Sequence, residues 1–196
     1  MKTNIIKSLL AVLLIGIGAC AFISVENKII GSALFSLGLL SVFHLQANLF
    51  TGKVGLLPNK TKVTRILIML VFNFIGISLI ALMMRVNINM VEKCSQISLN
   101  KLDKSFWEAL INAIFCGVLI QLAVDMKKSG AVSTILCIMV FILCGFEHCV
   151  ANVFYFVCSD ILTLKVMLYV LVYICGNTVG GISMRLLVER SYSKWG

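Results

Sequence analysis

Charged residues are scarce in this chain of 196 residues, where Asp, Glu, Lys and Arg together make up 13%. An ordinary soluble domain has about a quarter, so the composition argues against a soluble globular protein. Proline occurs once, at Pro58, which argues against a disordered or collagen-like chain. Hydrophobic residues make up 60% of the chain and fall in runs close to the roughly 20 residues that a helix needs to cross a bilayer. The chain is therefore predicted to be an all-α membrane protein.

The sequence also lacks the patterns of metal sites and of enzymes. Its eight cysteines contain no C-x-x-C pair and are interpreted as small buried hydrophobic residues, with a disulfide between Cys94 and Cys158 left open. No nucleophile with a base, no metal ligand set and no phosphate-binding loop is found, so no catalytic residue and no cofactor are predicted. The net charge of +9 does not indicate nucleic-acid binding, because the cations lie in short loops between apolar runs.

Six apolar runs are predicted to cross the membrane as helices or broken helices. They are residues 5–23, 29–49, 64–84, 106–125, 132–157 and 161–188. The first run is interpreted as a span and not as a cleaved signal peptide, because no A-x-A-like site follows it. These runs fill most of the chain, so a single transmembrane domain is expected over residues 1–196.

The distribution of lysine and arginine predicts the orientation of these spans. An even number of spans puts both termini on one side of the membrane. If that side is the cytoplasm, eleven cations are inside, namely Lys2, Lys7, Lys53, Lys60, Lys62, Arg65, Lys127, Lys128, Arg185, Arg190 and Lys194. Six are outside, namely Lys28, Arg85, Lys93, Lys101, Lys104 and Lys165. This excess agrees with the positive-inside rule and predicts a multi-pass cell-membrane protein with cytoplasmic termini.

Comparison of the chain with itself finds two motifs that repeat at one offset of 104 residues. The pattern H-x-x-A-N-x-F starts at His44 and again at His148, and the pattern N-x-x-G starts at Asn73 and again at Asn177. The repeated unit contains three spans, about residues 5–84 and 106–188. Because three is odd, the second unit enters the membrane from the opposite side, so the chain is predicted to consist of two inverted repeats.

Inverted repeats are typical of transporters and channels, whose sites lie where helices are broken near the midplane. The polar motifs predict a loop at residues 48–55 of the second span and a break at residues 147–152 of the fifth. A carboxylate at the bilayer centre costs roughly 2.5 to 3.5 kcal/mol, so Glu147 is expected to be paired and to mark the pathway together with His148. The alternative is that Glu147 caps the broken half-helix. His44 is expected either to line the pore or to face a neighbouring helix.

Residues 145–152, G-F-E-H-C-V-A-N, resemble the signature of the formate/nitrite transporter family of membrane channels. Residues 35–39, 48–52 and 176–181 are similar to further family segments, in the same order along the chain. The resemblance implies an aquaporin-like protomer of six helices with its own pore, assembled as a homopentamer in membrane lipid. It also implies the transported species, which are protons and small monovalent anions of weak acids such as formate, nitrite, hydrosulfide and short carboxylates.

The resemblance carries roles to particular positions of this chain. It implies that His148 is the pore histidine and that Thr51 is the threonine of the mid-membrane loop. The implied apolar constrictions are Phe35, Leu39, Phe50 and Phe141. The residues expected to brace the broken backbone are Asn48, Asn73, Asn152 and Asn177. Asn48 stands where the family usually has an acidic residue, and His44 stands where an apolar residue is expected.

A bare anion cannot cross an apolar constriction cheaply, because charge in a low-dielectric medium is costly. Lys101 and Lys104, together with Lys93, are expected to form a basic outer vestibule that concentrates anions. His148 would then donate a hydrogen bond or a proton, so that the permeating species is effectively the neutral acid. Two alternatives remain open: a channel for a neutral molecule such as ammonia, which two histidines would suit, and a non-conducting membrane scaffold or sensor.

Overall fold

The computed structural model describes residues 2–59 and 62–192, which form eight α-helices and contain no β-strand. The helices are α1 Lys2–Ser24, α2 Lys28–His44, α3 Val63–Met84, α4 Ile88–Asp103, α5 Phe106–Met126, α6 Ala131–Leu143, α7 Cys149–Cys158 and α8 Leu164–Tyr192. Two 3-10 helices, Val54–Asn59 and Lys127–Ser129, precede α3 and α6. Lys60 and Lys194, two cations of the predicted orientation, lie outside the described residues. Every cysteine is a free thiol, Cys94 and Cys158 included.

Four helices, α1, α3, α5 and α8, are long and apolar enough to cross a membrane. They coincide with the first, third, fourth and sixth predicted spans. The second predicted span contains α2, and the fifth is divided between α6 and α7, which are shorter apolar helices. The structure therefore confirms an all-helical protein with apolar spans.

The second span is interrupted earlier than predicted. Helix α2 ends at His44, and the chain is irregular over residues 45–53 before the 3-10 helix Val54–Asn59. The predicted loop, 48–55, therefore begins three residues too late. The physical reason is Gln46, whose φ of 51° places it in the left-handed region, a conformation that commonly ends a helix.

The fifth span is also interrupted earlier than predicted. Helix α6 ends at Leu143 and α7 begins at Cys149, so the predicted break at 147–152 is displaced. Gly145 has a φ of 68°, which a glycine adopts without steric cost. Asn152, which was expected in the break, lies within α7.

Helix α4 is not predicted by hydropathy, because only one of its faces is apolar. Its buried residues, Met90, Cys94, Ser98 and Leu102, recur every four positions, the spacing of one helix face. Asn87 caps its first turn by accepting a hydrogen bond from the amide of Met90 at 3.2 Å. This amphipathic spacing is the signal in the sequence that indicates α4.

Close approach between helices positions the two broken segments. Helix α1 packs against α2 and α3, and α5 packs against α6 and α8. A Cβ atom at Gly38 would lie 2.5 Å from the carbonyl oxygen of Leu14, and one at Gly180 would overlap the carbonyl oxygen of Ile114. These glycines therefore allow the backbones of α1 and α2, and of α5 and α8, to touch. Helix α3 packs on α7, and α8 packs on the 3-10 helix Val54–Asn59.

Candidate functional site

The two breaks have the same pattern of backbone hydrogen bonds. In each, the three amides that follow the helix donate back to its last turn in the same order. After α2 the pairs are Leu45 to Ser41, Gln46 to Phe43 and Ala47 to Val42, and after α6 they are Cys144 to Val140, Gly145 to Ile142 and Phe146 to Phe141. Equivalent residues, which we call counterparts, differ by 99 positions throughout. By this register Asn48 is the counterpart of Glu147.

Two buried asparagines hold these breaks through equivalent contacts. Asn73 on α3 accepts from the amide of Phe50 at 2.8 Å and donates to the carbonyl oxygens of Asn48 and Ser8 at 3.0 and 3.1 Å. Asn177 on α8 accepts from the amide of Cys149 at 2.9 Å. It donates to the carbonyl oxygens of Glu147 and Ala113, both at 2.8 Å. Each side chain therefore joins three segments of the chain.

These contacts correct the equivalence of the two histidines. The offset of 104 holds for the two asparagines, but the breaks align at 99, so the H-x-x-A-N-x-F motifs do not pair counterparts. The counterpart of His44 is Leu143, and that of His148 is Leu49. His44 is exposed, and its Nδ1 lies 2.9 Å from the carbonyl oxygen of Leu40 on its own helix. The structure does not bring the two histidines to equivalent positions.

His148 is the N-terminal cap of α7 and joins both breaks. Its Nδ1 accepts from the amide of Ala151 at 3.1 Å, and its Nε2 lies 2.8 Å from Oγ1 of Thr51. Because Nδ1 is an acceptor, the network assigns the proton of the neutral ring to Nε2, which donates to Thr51. Both side chains are buried, with exposures of 1% and 0%. A proton on Nδ1 would oppose the amide of Ala151, so protonation of the ring requires the loss of this cap.

Apolar side chains surround His148. The ring of Phe141 stacks on the imidazole with centroids 6.0 Å apart, and Phe35 meets Phe141 edge-on at 6.1 Å. Leu39, one turn after Phe35 on α2, and Phe50 are also buried. His148 therefore has the aromatic ring of Phe141 on one face and the hydroxyl of Thr51 at Nε2.

The Glu147 carboxylate is fully buried and binds two lysines. Lys101 donates to Oε2 and Lys104 to Oε1, each at 2.6 Å, and Asn152 donates to Oε2 at 2.6 Å. Lys104 also donates to the carbonyl oxygen of Gly145 at 2.9 Å. A buried carboxylate needs such partners, and the group of two lysines and Glu147 has one net positive charge. Asn48, the counterpart of Glu147, donates to the carbonyl oxygen of Asn4 at 3.3 Å instead.

Lys93, the third cation expected at the basic vestibule, has other partners. It donates to Glu26 at 2.9 Å and to the carbonyl oxygen of Ile23 at 3.1 Å. Lys101 and Lys104 therefore stand apart from it as a pair directed at Glu147.

One cavity is lined by His148, and a second is lined by residues close to Thr51 in the chain. The larger cavity, of about 300 Å³, is lined by Phe35, Lys101, Lys104, Phe141, His148 and Tyr155 among others. The smaller cavity, of about 20 Å³, has room for about one water molecule. Its lining includes Leu49, Gly52, Lys53 and Lys127. His148 thus lines the larger cavity, whereas the smaller one is lined by Leu49 and Gly52 of the segment that contains Thr51.

Tyr155 was not predicted as a site residue. It follows His148 by seven positions on α7, which is two helical turns, so both lie on the same face of the helix. Spacing from the histidine is therefore the signal that could have identified it.

Apolar spans, two broken segments and a buried polar pair at the breaks are features of the architecture typical of membrane transport proteins. The model of one family, described as the formate/nitrite transporter, matches residues 1–190. The chain belongs to this family, which confirms the resemblance stated above, and the family is one of transporters and not of enzymes, as the sequence predicts.

Individual relatives agree with this assignment. The chain is 28% identical over 149 residues to the formate channel FocA of Haemophilus influenzae, a match that covers 65% of this chain and 52% of that protein. It is 32% identical over 149 residues to the uncharacterized transporter YrhG of Bacillus subtilis, which covers 65% and 56%. The chain spans about half the length of the curated relatives it matches.

Solved structures show the same fold. A pentameric formate channel with formate bound superposes with a TM-score of 0.82 at 19% identity, covering 100% of this chain and 98% of that chain. An FNT family ion channel superposes with a TM-score of 0.80 at 21% identity, covering 96% and 90%. At this level of identity the likeness defines the fold alone.

Proposed function

We propose that this protein is a transmembrane channel for small monovalent anions of weak acids, such as formate, nitrite or hydrosulfide. The observation that carries the proposal is the buried hydrogen bond between Thr51 and His148, which joins the two broken segments at the lining of the larger cavity, beside the rings of Phe35 and Phe141. Phe35, Leu39, Phe50 and Phe141 form the constrictions in this proposal. Because burial of a bare charge is costly, such a passage admits an anion only when a proton or hydrogen bond neutralises it.

His148 supplies this neutralisation in two stages. At rest the ring is neutral and offers one hydrogen bond from Nε2, since Nδ1 already accepts from Ala151. An anion that replaces the hydroxyl of Thr51 stabilises the charged ring. Nδ1 then leaves the amide of Ala151 and takes up a proton from water, and the proton on Nε2 passes to the anion. When the neutral acid has left, the ring loses the Nδ1 proton to water and takes one up on Nε2, and the cap on Ala151 forms again. The substrate crosses the constrictions as the neutral acid, and transport is linked to proton movement.

The groups around His148 support this path without taking part in proton transfer. The net positive charge of Lys101, Lys104 and Glu147 favours anions in the larger cavity, which serves as the vestibule. The four asparagines, Asn48, Asn73, Asn152 and Asn177, fix the broken backbone and Glu147. His44 is given no role in the pore, because it is exposed.

In this proposal the six spans form two inverted repeats in one channel domain over residues 1–196. The matching hydrogen bonds of the two breaks support the repeats, and the pentameric formate channel of similar fold supports a homopentamer. Both termini are in the cytoplasm and the protein lies in the cell membrane, in contact with lipid. With this orientation the eleven inner cations face only two acidic residues, Asp125 and Glu189, so the positive charge is concentrated on the inner side.

Flux measurements on purified protein in liposomes test the proposal. We expect saturable uptake of formate, nitrite or hydrosulfide that increases as the external pH falls, against empty liposomes as the baseline. Thr51→Val should lower this flux several-fold because it removes the hydroxyl next to Nε2, whereas Thr51→Ser keeps the hydroxyl and should retain most of the flux. Permeation of ammonia without anion flux, or no flux at all, would contradict the proposal and support one of the two alternatives.

A further inference from the structure

We propose that the hydroxyl of Tyr155 is a hydrogen-bond donor to the anion in the larger cavity and favours oxygen-bearing anions, such as formate, over hydrosulfide. This inference rests on the proposed function and goes beyond it, because it names a residue that discriminates between the candidate substrates.

The position of Tyr155 is the first support for this role. It lies two turns after His148 on α7, and both residues line the larger cavity. The residues between them on the same face, Ala151 and Asn152, line the cavity as well. An anion that moves along α7 towards His148 therefore passes Tyr155.

The second support is the state of the hydroxyl. The Tyr155 side chain is largely buried, with 6% of its surface exposed. Within residues 2–59 and 62–192 its hydroxyl bonds no protein group, and it is not among the atoms that are fully enclosed without a partner. Buried tyrosine hydroxyls usually find a partner, as that of Tyr169 does with the carbonyl oxygen of Lys104 at 2.6 Å. The hydroxyl of Tyr155 is left to the contents of the cavity.

The charge around Tyr155 favours an anion as that partner. The Nζ atom of Lys101 lies 5.9 Å from the centroid of the Tyr155 ring, and Lys101 belongs to the positively charged group around Glu147. This attraction acts on every monovalent anion alike. A hydroxyl donor distinguishes them, because carboxylate and nitrite oxygens are strong acceptors whereas sulfur is a weak one.

The test compares Tyr155→Phe with Tyr173→Phe in liposomes that contain the full-length protein. Each change removes one oxygen, but the hydroxyl of Tyr173 is fully enclosed without a partner, so it is the matched control. For Tyr155→Phe we expect the half-saturating concentration of formate to rise about threefold to tenfold, the range of one net hydrogen bond. The value for hydrosulfide should stay unchanged, and Tyr173→Phe should change neither.

The outcomes separate this inference from the proposed function. If the unaltered protein conducts both anions and Tyr155→Phe changes their two half-saturating concentrations equally, or not at all, the inference is wrong and the proposed function stands. An equal effect of Tyr173→Phe would also overturn it. If the unaltered protein conducts none of formate, nitrite and hydrosulfide, both proposals are wrong.

Discussion

The buried carboxylate of Glu147 gives the sharpest test of the physical account of the site. Its side chain has no exposed surface, and those of its partners Lys101 and Lys104 are 13% and 19% exposed. Glu147→Gln preserves the shape but leaves two ammonium groups around a neutral amide. Removal of one partner from a buried ion pair costs roughly 3–5 kcal/mol. For a chain of this size 1 kcal/mol corresponds to about 2–4 °C in Tm, so the Tm should fall by about 6–20 °C.

The assay is thermal unfolding followed by intrinsic fluorescence in a mild detergent, with two comparison variants. Lys104→Met leaves Glu147 paired with one lysine, so its Tm should fall less than that of Glu147→Gln. Glu26→Gln removes the carboxylate that pairs with Lys93, on a side chain that is 92% exposed. This change should leave the Tm unchanged, because surface ion pairs contribute little to stability. A Tm for Glu147→Gln within 2 °C of that of the unaltered protein would refute the reasoning. A fall in Tm for Glu26→Gln as large as that for Glu147→Gln would refute it as well.

Three further predictions follow from the site and the fold. His148→Phe should abolish the pH dependence of weak-acid flux, because it removes the proton-exchanging group. It should lower the Tm less than Glu147→Gln does, because phenylalanine keeps the bulk of the side chain. An unchanged pH profile would contradict this prediction. His44→Val should leave flux and its pH profile as they are, since His44 is exposed, and a shifted profile would place it in the pore. Native mass spectrometry in mild detergent should show a pentamer as the main species, and a dominant monomer or dimer would contradict that assembly.

The long apolar helices could be predicted from the sequence because hydropathy over about 20 residues is a strong signal. The spans that break could be identified as well, because polar motifs interrupt them. The limits of the breaks could not, since Gln46 adopts a left-handed conformation without being a glycine. Helix α4 was missed because its signal is a spacing of four on one face, and its average composition is polar.

The register of the repeat could be predicted only in part. A comparison at one fixed offset finds the two bracing asparagines, which differ by 104 positions. A fixed offset of 104 residues cannot align the two breaks, whose residues correspond at an offset of 99, because the segments that connect the breaks to the asparagines differ in length. Only the hydrogen bonds identify Leu143 as the counterpart of His44. The match of the H-x-x-A-N-x-F motifs therefore indicated the right spans and the wrong residue pairs.

The two breaks show which parts of the site belong to the backbone and which to the chemistry. In both breaks the same backbone amides and carbonyl groups lack a partner within a helix, and a membrane protein must satisfy them. An asparagine side chain bonds them at each break. The side chains differ, because Glu147 and His148 in one half correspond to Asn48 and Leu49 in the other.

This difference gives helix α4 a role at the second break. Asn48 is neutral and needs no counter-charge, whereas the buried carboxylate of Glu147 does. Helix α4, which lies between the third and fourth predicted spans, carries Lys101 and ends immediately before Lys104. It therefore supplies the charges that allow an acidic residue to stay ionised next to His148. Loss of both lysines should therefore be tolerated only when the Glu147 carboxylate is removed as well. The triple variant Lys101→Met, Lys104→Met and Glu147→Gln should be more stable than the double variant with the two lysine changes alone.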